Sequence, residues 1–140
     1  MKNPQKPRTI VIDDRMAFLP MLFSDDLLRA ELNVYLYADR FLENYDGGLW
    51  EFVGLTAGGG FMQPPGERWR FTNPANWADE VVSAEAAGII ITALVLNHRS
   101  WMHYHDDEQA LCEHFCKRYD QLIAFADRHR EAVAIFRALD

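Results

Sequence analysis

The chain predicts an α+β fold: a small three-stranded antiparallel sheet packed against about four helices in a single domain. Three observations carry that reading. Residues 49–55 alternate in period two between glycine pairs, as a strand with one face more deeply covered does. Residues 86–96 are apolar on every side of a helical wheel, which marks a helix enclosed by the rest of the chain. Residues 25–43 and 107–128 place apolar side chains at helical spacing.

Taken in order, residues 1–8 are polar, hold Pro4 and Pro7, and read as a flexible N-terminal arm, leaving 9–140 as the folded domain. Thr9 to Ile12 has β-branched character and suits a short strand that Asp13-Asp14-Arg15 ends. Phe18, Leu19, Pro20 and Phe23 form an apolar plug ahead of the first helix. Ser24 is a good N-cap for that helix, and Asp25 and Asp26 suit the positive end of its dipole. Ala30, Val34, Tyr37, Ala38, Phe41 and Leu42 fill a wide arc of it, so it reads as mostly covered. Asp39 falls beside Leu28, Leu32 and Leu36 on the wheel, where an arc edge or a paired carboxylate explains it better than a buried functional one.

Gly47-Gly48 bends the chain into the strand at 49–55, and Gly58-Gly59-Gly60 turns it back into a second strand at 60–64. Pro64-Pro65 ends that strand because proline cannot donate to a ladder. Residues 68–72 alternate Trp69 and Phe71 against arginines and read as the third strand of the same sheet. Ser83 caps the enclosed helix, within which Gly88 allows close approach of the sheet. Asp106-Asp107-Glu108 opens the next helix, and Leu111, Cys112, Phe115, Cys116, Tyr119 and Leu122 share its apolar stripe. A short helix over 131–139 closes the chain.

Composition excludes several classes of function. Hydrophobic content of 49% and aromatic content of 13% are globular values, which rules out a disordered chain. With 14 basic and 21 acidic residues the net charge is −7, so no direct nucleic-acid binding is expected. The acidic residues are scattered among arginines, which disfavours mimicry of a DNA duplex, since that needs a dense acidic face. The chain shows neither a secretory signal nor an apolar run that would span a bilayer, and two cysteines make no disulfide framework, so a cytoplasmic protein is expected.

Each candidate reaction centre in the sequence has a plainer structural explanation. A phosphate loop needs a helix after its glycines, whereas Gly58-Gly59-Gly60 leads to Phe61, Met62 and two prolines; no nucleotide or other cofactor is expected. Cys112, His114 and Cys116, near His103 and His105, resemble zinc ligands in type, but both cysteines fall on the apolar stripe and His114 points elsewhere. No metal site is expected. Ser24, Ser83 and Ser100 sit in no nucleophile elbow, so no catalytic residue is assigned. The remaining candidate is a partner-binding patch of Trp101, Tyr104, Asp106, Asp107 and Glu108, where the enclosed helix emerges; the alternative is that this helix end simply packs on its neighbour.

Residues 45–65 also carry a pattern of their own: Tyr45, Gly47, Gly48, Trp50, Phe52, Leu55, Gly58, Gly59, Met62 and Pro64. In these positions the chain resembles the antirestriction proteins of the ArdB/KlcA family, whose signature runs Tyr-x-Gly-Gly-x-Trp-x-Phe-x-x-Leu, then Gly-Gly, then Met-x-Pro. Ala57 stands where the family usually has asparagine and Gly60 where it usually has an aromatic. Phe18, Pro20 and Phe23, the run from Ser83 to Ile89, and the last helix extend the likeness from Phe18 to Asp140, with Arg130 in place of the usual proline. The resemblance implies an antirestriction protein that counters host type I restriction-modification on behalf of a plasmid or mobile element. It implies non-enzymatic interference, with the type I complex or an associated host factor as partner. A binding module for another host factor and a metal-dependent enzyme are the alternatives.

Overall fold

The computed structural model describes residues 9–140, so the arm expected at 1–8 lies outside the described residues. The elements run β1 (Thr9–Val11), α1 (Arg15–Phe23), a 3-10 turn (Ser24–Asp26), α2 (Leu27–Phe41), β2 (Glu51–Leu55), β3 (Gly60–Gln63), β4 (Arg68–Asn73), β5 (Ala78–Ser83), α3 (Ala84–His105), α4 (Gln109–Asp127) and α5 (Ala132–Leu139). The α+β class and the three-stranded antiparallel sheet are as the sequence predicts. The sheet's membership differs, because its order is β1-β2-β3 while β4 and β5 form a separate hairpin.

The reason lies on the outer edge of β3. There the backbone N–H of Met62 donates to the Thr92 hydroxyl of α3 at 3.0 Å, and the same hydroxyl sits 3.5 Å from the Met62 carbonyl. One helical turn earlier stands Gly88, where a Cβ would lie 2.4 Å from the Met62 carbonyl oxygen and 2.9 Å from Gln63 Cα. A helix therefore covers the edge at which a further strand would pair, one of the ways proteins blunt sheet edges. Pro64 and Pro65 turn the chain away, and β4 finds its partner in β5, with Arg68 opposite Ser83 and Asn73 opposite Ala78. On the other edge, β1 pairs with β2, Val11 opposite Val53.

The apolar plug at 18–23 is itself helical. Asp14 caps α1 by accepting from the N–H of Met16 (2.9 Å) and Ala17 (3.3 Å), and Phe18, Leu19, Leu22 and Phe23 are fully buried. Phe18 stacks on Phe52 of β2 at 4.8 Å between ring centroids, which seats α1 on the sheet. Ser24 does not cap α2 as expected: it closes α1 in the left-handed region (φ 54°). The N-cap position of α2 belongs to Asp26, whose carboxylate is drawn away to α3. Nor is α2 mostly covered. Leu28, Leu32 and Leu36 are exposed along one side with Asp39 at its edge, while Ala30, Val34, Ala38 and Phe41 on the opposite side enter the core. Glu31, on the buried side, is held by both terminal guanidinium nitrogens of Arg15 and by the Tyr35 hydroxyl at 2.9 Å. Burial, then the bond to Glu31, pushes the Tyr35 hydroxyl up to about 12.

At the centre, α3 is buried on nearly every side from Ala84 to Leu96, as its composition requires. Its 22 residues span roughly 33 Å. Ser83 caps it as expected, accepting from Ala86 N–H at 3.1 Å. The Ser83 hydroxyl and N–H both donate to Glu131, and the His129 ring donates to Glu85 at 2.8 Å, so the start of α3 and the turn into α5 are tied together. The His129 hydrogen bond outweighs desolvation and holds the Glu85 carboxyl below its ordinary range. A carboxylate depressed in the folded state contributes stability above its unfolded value of ~4.3, which is lost as pH falls through the folded one. Glu85→Gln is therefore expected to flatten the acid limb of the stability profile, as read by denaturation midpoints from about pH 3 to 6. No helix among the described residues is long and apolar enough to cross a membrane.

Candidate functional site

The corner between α3 and α4 gathers every residue of the expected partner-binding patch. The last turn of α3 closes with Glu108 N–H on His103 C=O (2.9 Å) and Asp107 N–H on Tyr104 C=O (3.3 Å). Asp107 is left-handed (φ 57°) between them, the six-to-one and five-to-two pattern that ends many helices. Asp is one of the few residues besides glycine that tolerates this conformation. Asp106 and Asp107 thus terminate α3, where the sequence reading had them start α4. The result is a sharp reversal that leaves Trp101 (56% exposed), Tyr104 (62%), Asp106, Asp107 and Glu108 on the surface.

Trp101 meets Tyr104 edge-on at 5.8 Å and stacks on His105 at 6.1 Å. Two open grooves flank this aromatic ridge. One, of about 740 Å³, runs past His103, Tyr104, Asp107, Glu108, Gln109 and Glu113. The other, of about 390 Å³, lies between Asn97, Ser100 and Trp101 on α3 and Cys112 and Cys116 on α4. Its exposed lining is mostly apolar, whereas carboxylates rim the first.

Behind the ridge sits a polar network buried among apolar residues. Asp26 accepts from Arg99 Nε at 2.8 Å and lies 2.8 Å from His103 Nε2, with all three side chains under a tenth exposed. His103 Nδ1 lies 3.1 Å from Glu108, and its ring stacks on Phe115 of α4 at 5.4 Å. Ionised carboxylates only accept, so both contacts are hydrogen bonds when the ring carries both N–H groups. The network joins the 3-10 turn, α3 and the start of α4, and so orients the exposed ridge. Sequence reasoning missed it. Arg99 and His103 do stand four apart on the enclosed helix, a visible signal that polar groups there need a partner, but nothing local points to Asp26.

A family model described as Antirestriction protein matches residues 43–140. KlcA of Escherichia coli is 38% identical over 150 aligned residues, covering 100% of both chains. The chain belongs to the antirestriction protein family. YubI of Escherichia coli strain K12 is 42% identical over 137 residues, 96% of this chain and 97% of that one. A solved structure of the KlcA and ArdB proteins superposes with a TM-score of 0.82 at 31% identity, over 99% of this chain and 100% of that one. Those proteins are described as having a novel fold and antirestriction activity against type I DNA restriction systems in vivo but not in vitro.

Tyr45 and Trp50 of the antirestriction signature pack with Trp69 as one aromatic group, whereas Phe52 stacks on Phe18 of α1. Trp50 Nε1 donates to the Tyr45 hydroxyl at 2.9 Å, and Tyr45 lies edge-on to Trp50 and tilted against Trp69, both at 5.9 Å. Trp69 Nε1 in turn donates to the Pro65 carbonyl at 2.8 Å. Gly47, Gly48, Gly58 and Gly59 all have positive φ, and Leu55 N–H on Gly59 C=O (3.0 Å) closes the turn between β2 and β3. Met62 is the residue docked on Thr92, and Pro64 is buried beside it.

The cysteines are not in the core as expected. Cys112 is half-buried and Cys116 exposed, because Phe115, Leu122 and Ala126 define the covered line of α4 and the cysteines flank it. Burial, then the neighbouring Cys116, pushes the Cys112 thiol up. His114 is turned to the Leu22 carbonyl at 3.1 Å, and burial pushes it down. The two carboxylates on His103 lie on opposite ring edges. Among the described residues no group of three or more His, Cys, Asp or Glu side chains could hold a metal ion.

Proposed function

We propose that this chain counters host type I restriction-modification on behalf of a plasmid or mobile element, acting in the cytoplasm by contact instead of catalysis. Its full-length likeness to the KlcA and ArdB structure is the observation that carries the reading. The α3–α4 corner is the contact surface: an aromatic ridge of Trp101 and Tyr104 on a fixed helix end, rimmed by Asp106, Asp107, Glu108 and Glu113. Exposed tryptophan and tyrosine in a preorganised setting suit the anchoring role aromatics play at interfaces. The carboxylates and the net charge of −7 favour a basic surface on a protein partner and disfavour direct contact with DNA. Activity in vivo but not in vitro, as described for KlcA and ArdB, favours a host factor associated with restriction as the thing contacted.

The test is plating of unmodified phage on hosts with and without a type I system, with the gene expressed or absent. Plating on the restricting host is expected to rise when the gene is expressed and to be unaffected on the other. Equal plating on the restricting host with and without the gene would remove the antirestriction reading.

A further inference from the structure

Trp77, at the tip of the β4–β5 hairpin, stands apart from the other aromatics. It is 91% exposed, and none of the ring contacts among the described residues involves it. Its backbone is left-handed, with φ 60°. Among the described residues three other non-glycine residues share that sign, Ser24, Asn44 and Asp107, all small and polar. A bulky aromatic there is a genuine outlier, since Cβ crowds the following carbonyl. The fold gains neither burial nor a relaxed backbone from this side chain.

The mount beneath it is firm. Asn73 Oδ1 accepts from Ala75 N–H at 3.0 Å, and Asn76 Oδ1 accepts from Ala78 N–H at 3.1 Å. Asn76 Nδ2 donates to the Ala138 carbonyl at 3.0 Å, which ties the tip to the end of α5. The charges nearby are paired with one another: Arg70 with Asp79 at 2.6 Å, and Arg137 with Glu80 at 3.9 Å. A strained, rigidly held indole beside exposed Pro74 and Ala75 suits insertion into an apolar pocket.

We infer that Trp77 is an anchor residue that inserts into an apolar pocket on a protein partner, forming a contact surface additional to the α3–α4 corner. A nucleic-acid stacking role would require a basic groove around it, and binding to an anionic lipid surface a basic surround. The paired charges supply neither. The inference rests on the antirestriction reading, because protection of phage plating is its readout.

Trp77→Gly and Trp77→Asn both place residues that accept positive φ at this position, so each variant is expected to melt at or above the wild-type temperature. Both are expected to lose protection on the restricting host by about tenfold or more, as truncation of an anchoring aromatic does, and Trp77→Phe to retain part of it. Variants that fold and protect like the wild type overturn the inference and leave the proposed function standing. A wild type that fails to protect overturns both. Wild-type binding to a single-stranded oligonucleotide or to anionic vesicles, abolished in Trp77→Gly, overturns the protein pocket in favour of that ligand.

Discussion

Gly88→Ala is expected to destabilise the protein by about 3 kcal/mol, although the same change in an exposed helix would stabilise it by up to about 1. The added Cβ would lie 2.4 Å from the Met62 carbonyl oxygen and 2.9 Å from Gln63 Cα. Both are backbone atoms of β3, so no side-chain rotation relieves the overlap. Overpacking of this kind costs roughly 1–3 kcal/mol, and pushing β3 outward also strains the buried Met62–Thr92 hydrogen bond, worth another 1–3 if its N–H is left unsatisfied. A thermal midpoint lower by about 10 °C is expected for a chain of this length. An unchanged or raised midpoint would mean that β3 does not lie against α3 at this distance.

Asp26→Ala carries the other large effect, a loss of about 3–5 kcal/mol. It leaves the Arg99 guanidinium, 8% exposed, without its counter-charge, and removes one carboxylate from a nearly buried His103. Replacing the pair together, Asp26→Leu with Arg99→Met, is expected to recover most of that loss, because two apolar side chains carry no desolvation cost. Urea denaturation of the three proteins separates these outcomes. Equal losses for the single and double variants would show that the charge pair with Arg99 is not what matters at this position, since both variants also remove the carboxylate from His103 Nε2.

How much of this was legible in the sequence depends on the range of the contact. The all-round apolar helix and the cap at Ser83 are local patterns, and both reappear in place. The strand read at 49–55 reappears only as Glu51–Leu55, and without its period of two: Leu49 is exposed, and Val53, Gly54 and Leu55 are buried in succession because β2 is the central strand of its sheet. The close approach at Gly88 was also foreseeable, since a lone glycine in so apolar a helix marks a point of contact. Pairing of β4 with β5 in place of β3 was not. It turns on the Thr92 hydroxyl occupying the β3 edge, 30 residues away in sequence. The diversion of Asp26 follows the same logic: a local rule makes it a first-turn residue, and two partners more than 70 residues distant overrule it. The surface patch was found because aromatic and acidic residues cluster along the chain itself. The groove beside Cys112 and Cys116 was missed because those positions sit on the margin of an apolar stripe, where the wheel alone does not decide exposure.

The most direct measurement of the contact account compares the wild type with Trp101→Ala/Tyr104→Ala in phage plating on a type I restricting host. Both side chains are exposed, so the variant is expected to melt within a few degrees of the wild type. Restriction should return in cells carrying the variant at matched protein levels. Undiminished protection by a folded variant would contradict the assignment of activity to this corner.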